Sequence, residues 1–203
     1  IVGVVYSGRT EQMDDYKSRF AVETDARVLA DVIDGADIFL GLSAGGVLKP
    51  EYVEQMASNP IIFALANPTP EIMPQETKKA RPDAIIATGR SDFHNQVNNV
   101  LGFPFIFRGA MDVKARKINI EMKVAAAQAL ADLAKKNVPD YITEVYGETL
   151  QYGKEYIIPS PFDKRLIVEV SSAVAQAAIK TGSSKMKDFD IKVYRQELAQ
   201  IIQ

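Results

Sequence analysis

Asn67, Asn98 and Asn99 carry the side chains best suited to ligand chemistry in this chain. Each amide joins a carbonyl acceptor to two N–H donors, a combination that suits a carboxamide or a small hydroxy-acid. Asn67 lies in ALANPT (64–69), directly after the apolar run 61–65. Asn98 and Asn99 end TGRSDFHNQVNN (88–99), the densest polar stretch, which leads straight into apolar VLGFPFIF. Near a helix start they could also offer backbone N–H groups to a carboxylate. A third stretch, GLSAGG (41–46), supplies Gly41, Leu42, Ser43, Ala44 and Gly45, small enough for backbone to approach a dinucleotide. Each stretch also has a simpler use. GLSAGG suits a tight strand-to-helix turn, Asn67 an Asx turn before Pro68, and the paired asparagines could satisfy their own backbone.

The elements that must position these residues read as α/β. The nearly continuous apolar run 36–43 fits a strand buried on both faces, as in parallel sheets. Pro50 opens a helix at its first turn. Residues 61–65 form the next strand, Pro74 leads a polar helix, and 84–87 form a third strand. This alternation is the signature of a doubly wound parallel sheet, where ligands bind beyond the carboxyl ends of the strands. All three polar stretches fall at such ends.

Upstream, residues 1–6 read as a strand end, 14–20 as a short helix, and 25–33 as a helix capped by Thr24. Downstream, the pattern becomes helical. Ile118, Met122, Ala126, Ala129 and Leu133 share one face of a helix over 113–136, whose alanines permit close packing, including between copies of the chain. Asp163 caps a helix ending before Gly182, and a last helix covers 189–202. The expected division is a partial dinucleotide-binding domain over 1–110 and a helical C-terminal extension over 111–203.

Composition narrows the function classes. The 203 residues include 24 Lys plus Arg and 26 Asp plus Glu, so no basic face for nucleic acid is expected. With no cysteine and one histidine, disulfides, thiolate nucleophiles and a multi-histidine metal site within one chain are excluded. No apolar run reaches membrane-spanning length, and the neutral expectation is a cytoplasmic protein. His94 could serve as a general base, although a solitary histidine in a polar loop is more often exposed or bonded within that loop. Arg90 and Asp92 are expected to pair. No glycine-rich GxGxxG loop is present, and the chain opens inside a β-rich run, which reads as part of something longer.

ALANPTPEI, ATGRSD and NQVNNVLGFPFIFRGAMDVKA resemble the cofactor-binding domain of malic enzymes. YGKEYIIPSPFDKRLIVEVSSAVAQAA resembles the bacterial hybrid type, in which a phosphotransacetylase-like region follows. The resemblance covers essentially the whole chain. It implies NAD- or NADP-dependent oxidative decarboxylation of L-malate to pyruvate, assisted by Mg²⁺ or Mn²⁺. It implies that Asn67 and Asn99, with Asn98 beside them, contact malate or pyruvate. Residues 41–46 and Ala66–Asn67 would line the nicotinamide end of the cofactor site. His94 stands where the family pattern SDYPNQ has proline, so no catalytic role passes to it. The metal ligands, the catalytic Tyr and Lys, and the pyrophosphate loop are expected upstream. No catalytic or metal-binding residue is therefore assigned here. The implied partners are the missing N-terminal half and further copies of the same chain. Two other readings stay open: the cofactor domain of another dehydrogenase, such as one acting on amino acids, and a non-catalytic regulatory or assembly domain.

Overall fold

A computed structural model describes residues 3–202. They form two compact units, the first ending at Ile86 and the second beginning at Ala87. The sequence reading drew its line at 110, where sheet gives way to helix.

The first unit opens with α1 (Asp15–Ser18), whose N-cap Asp14 accepts from the Lys17 N–H. Of the strand end expected over 1–6, Ile1 and Val2 lie outside the described residues, and Tyr6 forms a parallel bridge to Val22. The helix expected over 25–33 is reduced to a 3₁₀ turn, Leu29–Asp31. The cause is local. The Asp31 carboxylate accepts the Arg27 and Val28 N–H groups at 2.7 and 3.0 Å, and Thr24 Oγ1 accepts from Ala26. Short polar side chains thus take up the backbone donors in a non-helical form.

The sheet follows in the expected alternation: β1 (Ile38–Gly41), α2 (Pro50–Gln55), β2 (Ile61–Ala64), α3 (Pro74–Ala80), β3 (Ile85–Thr88), with strand order β1-β2-β3. β1 and β2 pair in parallel with Ile38 opposite Ile61 and Gly41 opposite Ala64. Ile62, Ile72, Val53 and Leu48 pack a core on one side. β1 is not buried on both faces as its apolar run suggested: Ile38 and Leu40 are 59% and 58% exposed. β1 is an edge strand, and no described residue covers those two side chains.

The second unit is helical: α4 (Phe103–Asp112), α5 (Ile120–Ala134), α6 (Asp140–Tyr146), α7 (Leu166–Lys180) and α8 (Ile191–Gln200). α7 is its axis and packs on α4, α5 and α8. Met122, Ala126 and Leu133 of α5 are buried as their spacing required, alongside Leu166, Val170 and Val174 of α7. Asp163 accepts the Arg165 N–H at 2.9 Å just before α7, and Gly182 takes φ +69° after it. The helix expected over 113–136 begins only at Ile120, where the Asn119 side chain caps Met122.

Glu169 of α7 joins α8 to the segment just after α5. Its Oε1 accepts from Lys136 at 2.8 Å and Arg195 at 2.9 Å. Burial alone would raise its carboxyl pKa, but the two cations outweigh burial and hold it below the usual value. A lowered folded value means a stabilising contribution that is complete above the unfolded pKa and lost as pH falls through the folded one. Glu169→Gln is therefore expected to destabilise this unit by about 1 kcal/mol at neutral pH. The difference from the unaltered chain should shrink toward zero as pH falls through the lowered folded value of Glu169, below which the carboxyl is protonated in both folded and unfolded states. Denaturant titrations at several pH values test this, and a pH-independent difference would contradict it.

Candidate functional site

In the first unit, the loops after β1 and β2 form the rim at the carboxyl end of the sheet. They are zipped together. Leu65 N–H donates to Gly41 O at 3.1 Å, Gly46 N–H to Pro70 O at 3.1 Å, and Leu48 N–H to Glu71 O at 3.0 Å. Gly41 and Gly45 are required by this closeness. A Cβ on Gly41 would lie 2.7 Å from Glu71 Oε1, and one on Gly45 would lie 2.7 Å from Thr69 Cβ.

Leu42, Ser43, Ala44 and Gly45 are exposed on this rim, as is Asn67, while Ala66 is buried. The Asn67 amide bonds to no described residue, and the Asn67–Pro68 peptide is cis. The N–H groups of Ala44 and Gly45 likewise donate to no described residue, whereas that of Ser43 is taken by Glu71. The rim therefore offers a free side-chain amide and two free backbone donors. That set fits a carboxamide, such as nicotinamide carries, or a small carboxylate.

In the second unit, the loop after β3 is held from several sides. Val97 N–H donates to Thr88 O at 2.8 Å, and Thr88 Oγ1 accepts from Arg90 N–H at 3.2 Å. Arg90 meets Asp92 through two hydrogen bonds of 2.8 and 2.7 Å, so the expected pair forms. The Arg90 guanidinium keeps the Asp92 carboxyl below its ordinary pKa. Asn95, buried and at φ +53°, ties the loop to a distant segment by donating to Lys154 O and accepting from Ile157 N–H. His94 Nε2 lies 3.0 Å from Glu148 Oε1, and its ring stacks on Tyr146 at 6.2 Å, so this histidine is engaged within the loop's own framework.

That framework presents Asn98 and Asn99, both exposed, at a 3₁₀ turn leading into α4. Their roles separate. Asn98 Oδ1 accepts from Val100 N–H at 3.0 Å, which is a capping use and leaves only its N–H₂ free. The Asn99 amide bonds to no described residue. Asn67 and Asn99 are thus the two candidate amides left wholly available, one on each unit.

Sequence reasoning missed Glu71, the carboxylate on which the first rim is built. No local pattern marks it, because its partner Ser43 lies 28 positions away. The second unit also has an open groove of about 1070 Å³ along α5, α7 and α8, but none of the candidate residues lines it. No group of three or more His, Asp or Glu able to hold a metal ion gathers among the described residues. No helix of the described residues is long and apolar enough to cross a membrane.

Comparison with known proteins places the chain in a family. Residues 2–148 match the family described as malic enzyme, NAD binding domain. The chain is 57% identical over 198 residues to an NADP-dependent malic enzyme of Rhizobium meliloti, covering 97% of this chain and 26% of that protein. It is 58% identical over 193 residues to an NAD-dependent malic enzyme of the same organism, covering 94% of this chain and 25% of that one. Among solved structures, the malic enzyme of Entamoeba histolytica superposes with a TM-score of 0.82 at 34% identity, covering 98% of this chain and 40% of that one. The chain spans about a quarter of the length of the two bacterial relatives. With a family match over most of its residues and this level of identity, the chain belongs to the malic enzyme NAD-binding domain family.

Proposed function

We propose that this chain is one part of an NAD(P)-dependent malic enzyme that oxidatively decarboxylates L-malate to pyruvate and CO₂. The observation that carries the reading is the pair of exposed, unengaged amides, Asn67 and Asn99, at the loops that follow β2 and β3. Asn67 and Asn99 hold the hydroxy-acid and its keto product, with the N–H₂ of Asn98 as a lesser contact. Gly41, Leu42, Ser43, Ala44 and Gly45, with Ala66 and Asn67, line the nicotinamide side of the cofactor. NAD or NADP, when bound there, would supply the hydride acceptor for the oxidation of malate. The residues of this chain orient the two reactants and move no proton.

The metal ligands for Mg²⁺ or Mn²⁺ and the acid–base pair belong to the N-terminal half of the same enzyme. Cofactor choice stays NAD or NADP, because nearly equal identity to an NADP-dependent and an NAD-dependent relative separates neither. The hybrid arrangement, with a phosphotransacetylase-like region after this chain, is supported by length. The chain makes up 26% of the Rhizobium enzyme but 40% of the Entamoeba one, so the former has length to spare. Residues 1–110 act as the partial cofactor domain and 111–203 as its helical extension, in a cytoplasmic homo-oligomer. Exposed Phe103, Phe107 and Met111, spaced along one side of α4, support contact with another copy.

The test is a pair of proteins. The isolated 203-residue chain is expected to show no malate-dependent NADP reduction. A chimera in which this chain replaces the matching segment of the Rhizobium NADP-dependent enzyme is expected to reduce NADP with malate and release CO₂ and pyruvate. Turnover by the isolated chain would overturn the division of labour. A folded chimera that ignores malate but oxidises an amino acid would favour another dehydrogenase. One that binds no dinucleotide would favour an assembly domain.

A further inference from the structure

Glu71 is fully buried, at 0% exposure, yet lies in a loop at the sheet rim. Its Oε1 accepts the Ser43 N–H at 2.7 Å and the Ser43 hydroxyl at 3.3 Å. Its Oε2 accepts the Ala66 N–H at 3.0 Å. One carboxylate therefore bridges the loop after β1 to the loop after β2, landing on the residue two past Gly41 and on the residue just before Asn67. A buried carboxylate with all its bonds inside the protein is costly unless those bonds are well made. Here they fix the two backbones that the functional reading assigns to the cofactor. Gly41 leaves the room that the carboxylate occupies, since a Cβ there would overlap it. By taking the Ser43 N–H, Glu71 also leaves Ala44 and Gly45 as the donors that face outward.

We propose that Glu71 is a positioning residue for cofactor binding: a buried strut that sets the spacing of the 41–48 and 65–71 loops without touching the cofactor itself. The proposal rests on the malic-enzyme reading above. Neutral Gln has the size of Glu but must turn one N–H₂ toward either the Ser43 or the Ala66 N–H, so a donor faces a donor. A displaced loop changes the affinity of every folded molecule, whereas plain destabilisation lowers the active fraction and leaves KM where it was.

The experiment uses the complete enzyme carrying this chain. Glu71→Gln is expected to raise the KM for dinucleotide about tenfold while kcat at saturating dinucleotide stays within about threefold and the KM for metal does not move. Hydrogen exchange at the Ser43 and Ala66 amides is expected to speed up in the same variant. A folded Glu71→Gln enzyme with unchanged dinucleotide KM overturns the proposal, whatever its thermal midpoint. If that variant does not fold, Glu71→Asp decides. It keeps the charge but shortens the strut, and an unchanged dinucleotide KM there overturns the proposal equally. If the unaltered enzyme does not use malate, the functional reading falls. The exchange measurement still tells whether the strut exists, and unchanged exchange in Glu71→Gln then overturns that as well.

Discussion

Asn67→Ala in the complete enzyme is expected to lower kcat/KM for malate by about 10²-fold, roughly 2.7 kcal/mol of transition-state stabilisation. Asn99→Ala should fall in the same range. Each amide is exposed and bonded to no described residue, so its removal orphans nothing within the chain and should leave the thermal midpoint almost unmoved. Asn98→Ala supplies the contrast. Its Oδ1 already accepts from Val100 N–H, so the main loss is a cap worth about 1 kcal/mol of stability, with a smaller effect on turnover. The pattern across the three is what discriminates: large kinetic losses at 67 and 99 without destabilisation, and the reverse at 98. A kcat/KM for Asn67→Ala equal to that of the unaltered enzyme would remove the substrate assignment.

Much of this could be read before any coordinates. The sheet was legible because its strands are short apolar runs closed by turn residues, Gly41 at one and Asn67–Pro68 at another, and because Pro50 and Pro74 mark the first turns of α2 and α3. The end of α7 was legible because Gly182 marks it locally, whereas the N-cap is Arg165 and Asp163, expected to cap the helix, instead accepts the Arg165 N–H in the turn before it. The failures have equally physical causes. The 25–33 segment has helical spacing, but the Asp31 carboxylate offers its backbone a better set of bonds. α4 was anticipated only as a helix start near Asn98 and Asn99, because FPFIF, a run of adjacent apolar residues, shows no 3.6 period to mark its extent. Glu71 could not be found by pattern at all. Its partner Ser43 is 28 positions away, and burial of a carboxylate runs against the rule by which cores are read. The exposed side of β1 was misjudged for a similar reason, since an apolar run tells what a strand would prefer to bury and not which neighbours it has.

Gly109→Ala should be the most damaging single methyl in the helical unit. Gly109 sits in the middle of α4, where glycine costs about 1 kcal/mol relative to alanine in helix propensity, so replacement would stabilise an isolated helix. The packing reverses that sign. An added Cβ would overlap the Ser171 carbonyl oxygen of α7 and approach Val174 Cβ at 3.1 Å. The obstacle is backbone in the unit's axial helix, and it cannot rotate away as a flexible side-chain end could. Gly109 and Ala110 are both buried here, and Ser171 and Val174 of α7 come within contact of the Gly109 position. Relieving the overlap requires α4 to move off α7, which opens space beside Leu101, Val113 and Val170 in the same core. Overpacking of this kind costs about 1–3 kcal/mol, and the upper end is expected because separation also leaves part of the core loosely packed. Gly109→Ala should therefore lower the free energy of unfolding read from denaturant titration by that amount, and Gly109→Val by more. Gly102→Ala is the internal control, since its Cβ would meet only the end of the Ile106 side chain at 3.5 Å. Equal stability of the Gly109→Ala and Gly102→Ala chains would mean that α4 and α7 do not meet at Gly109. α4 also carries the chain on from Asn99, so such a result would remove the rigid support that the amide needs to face its ligand in a fixed direction.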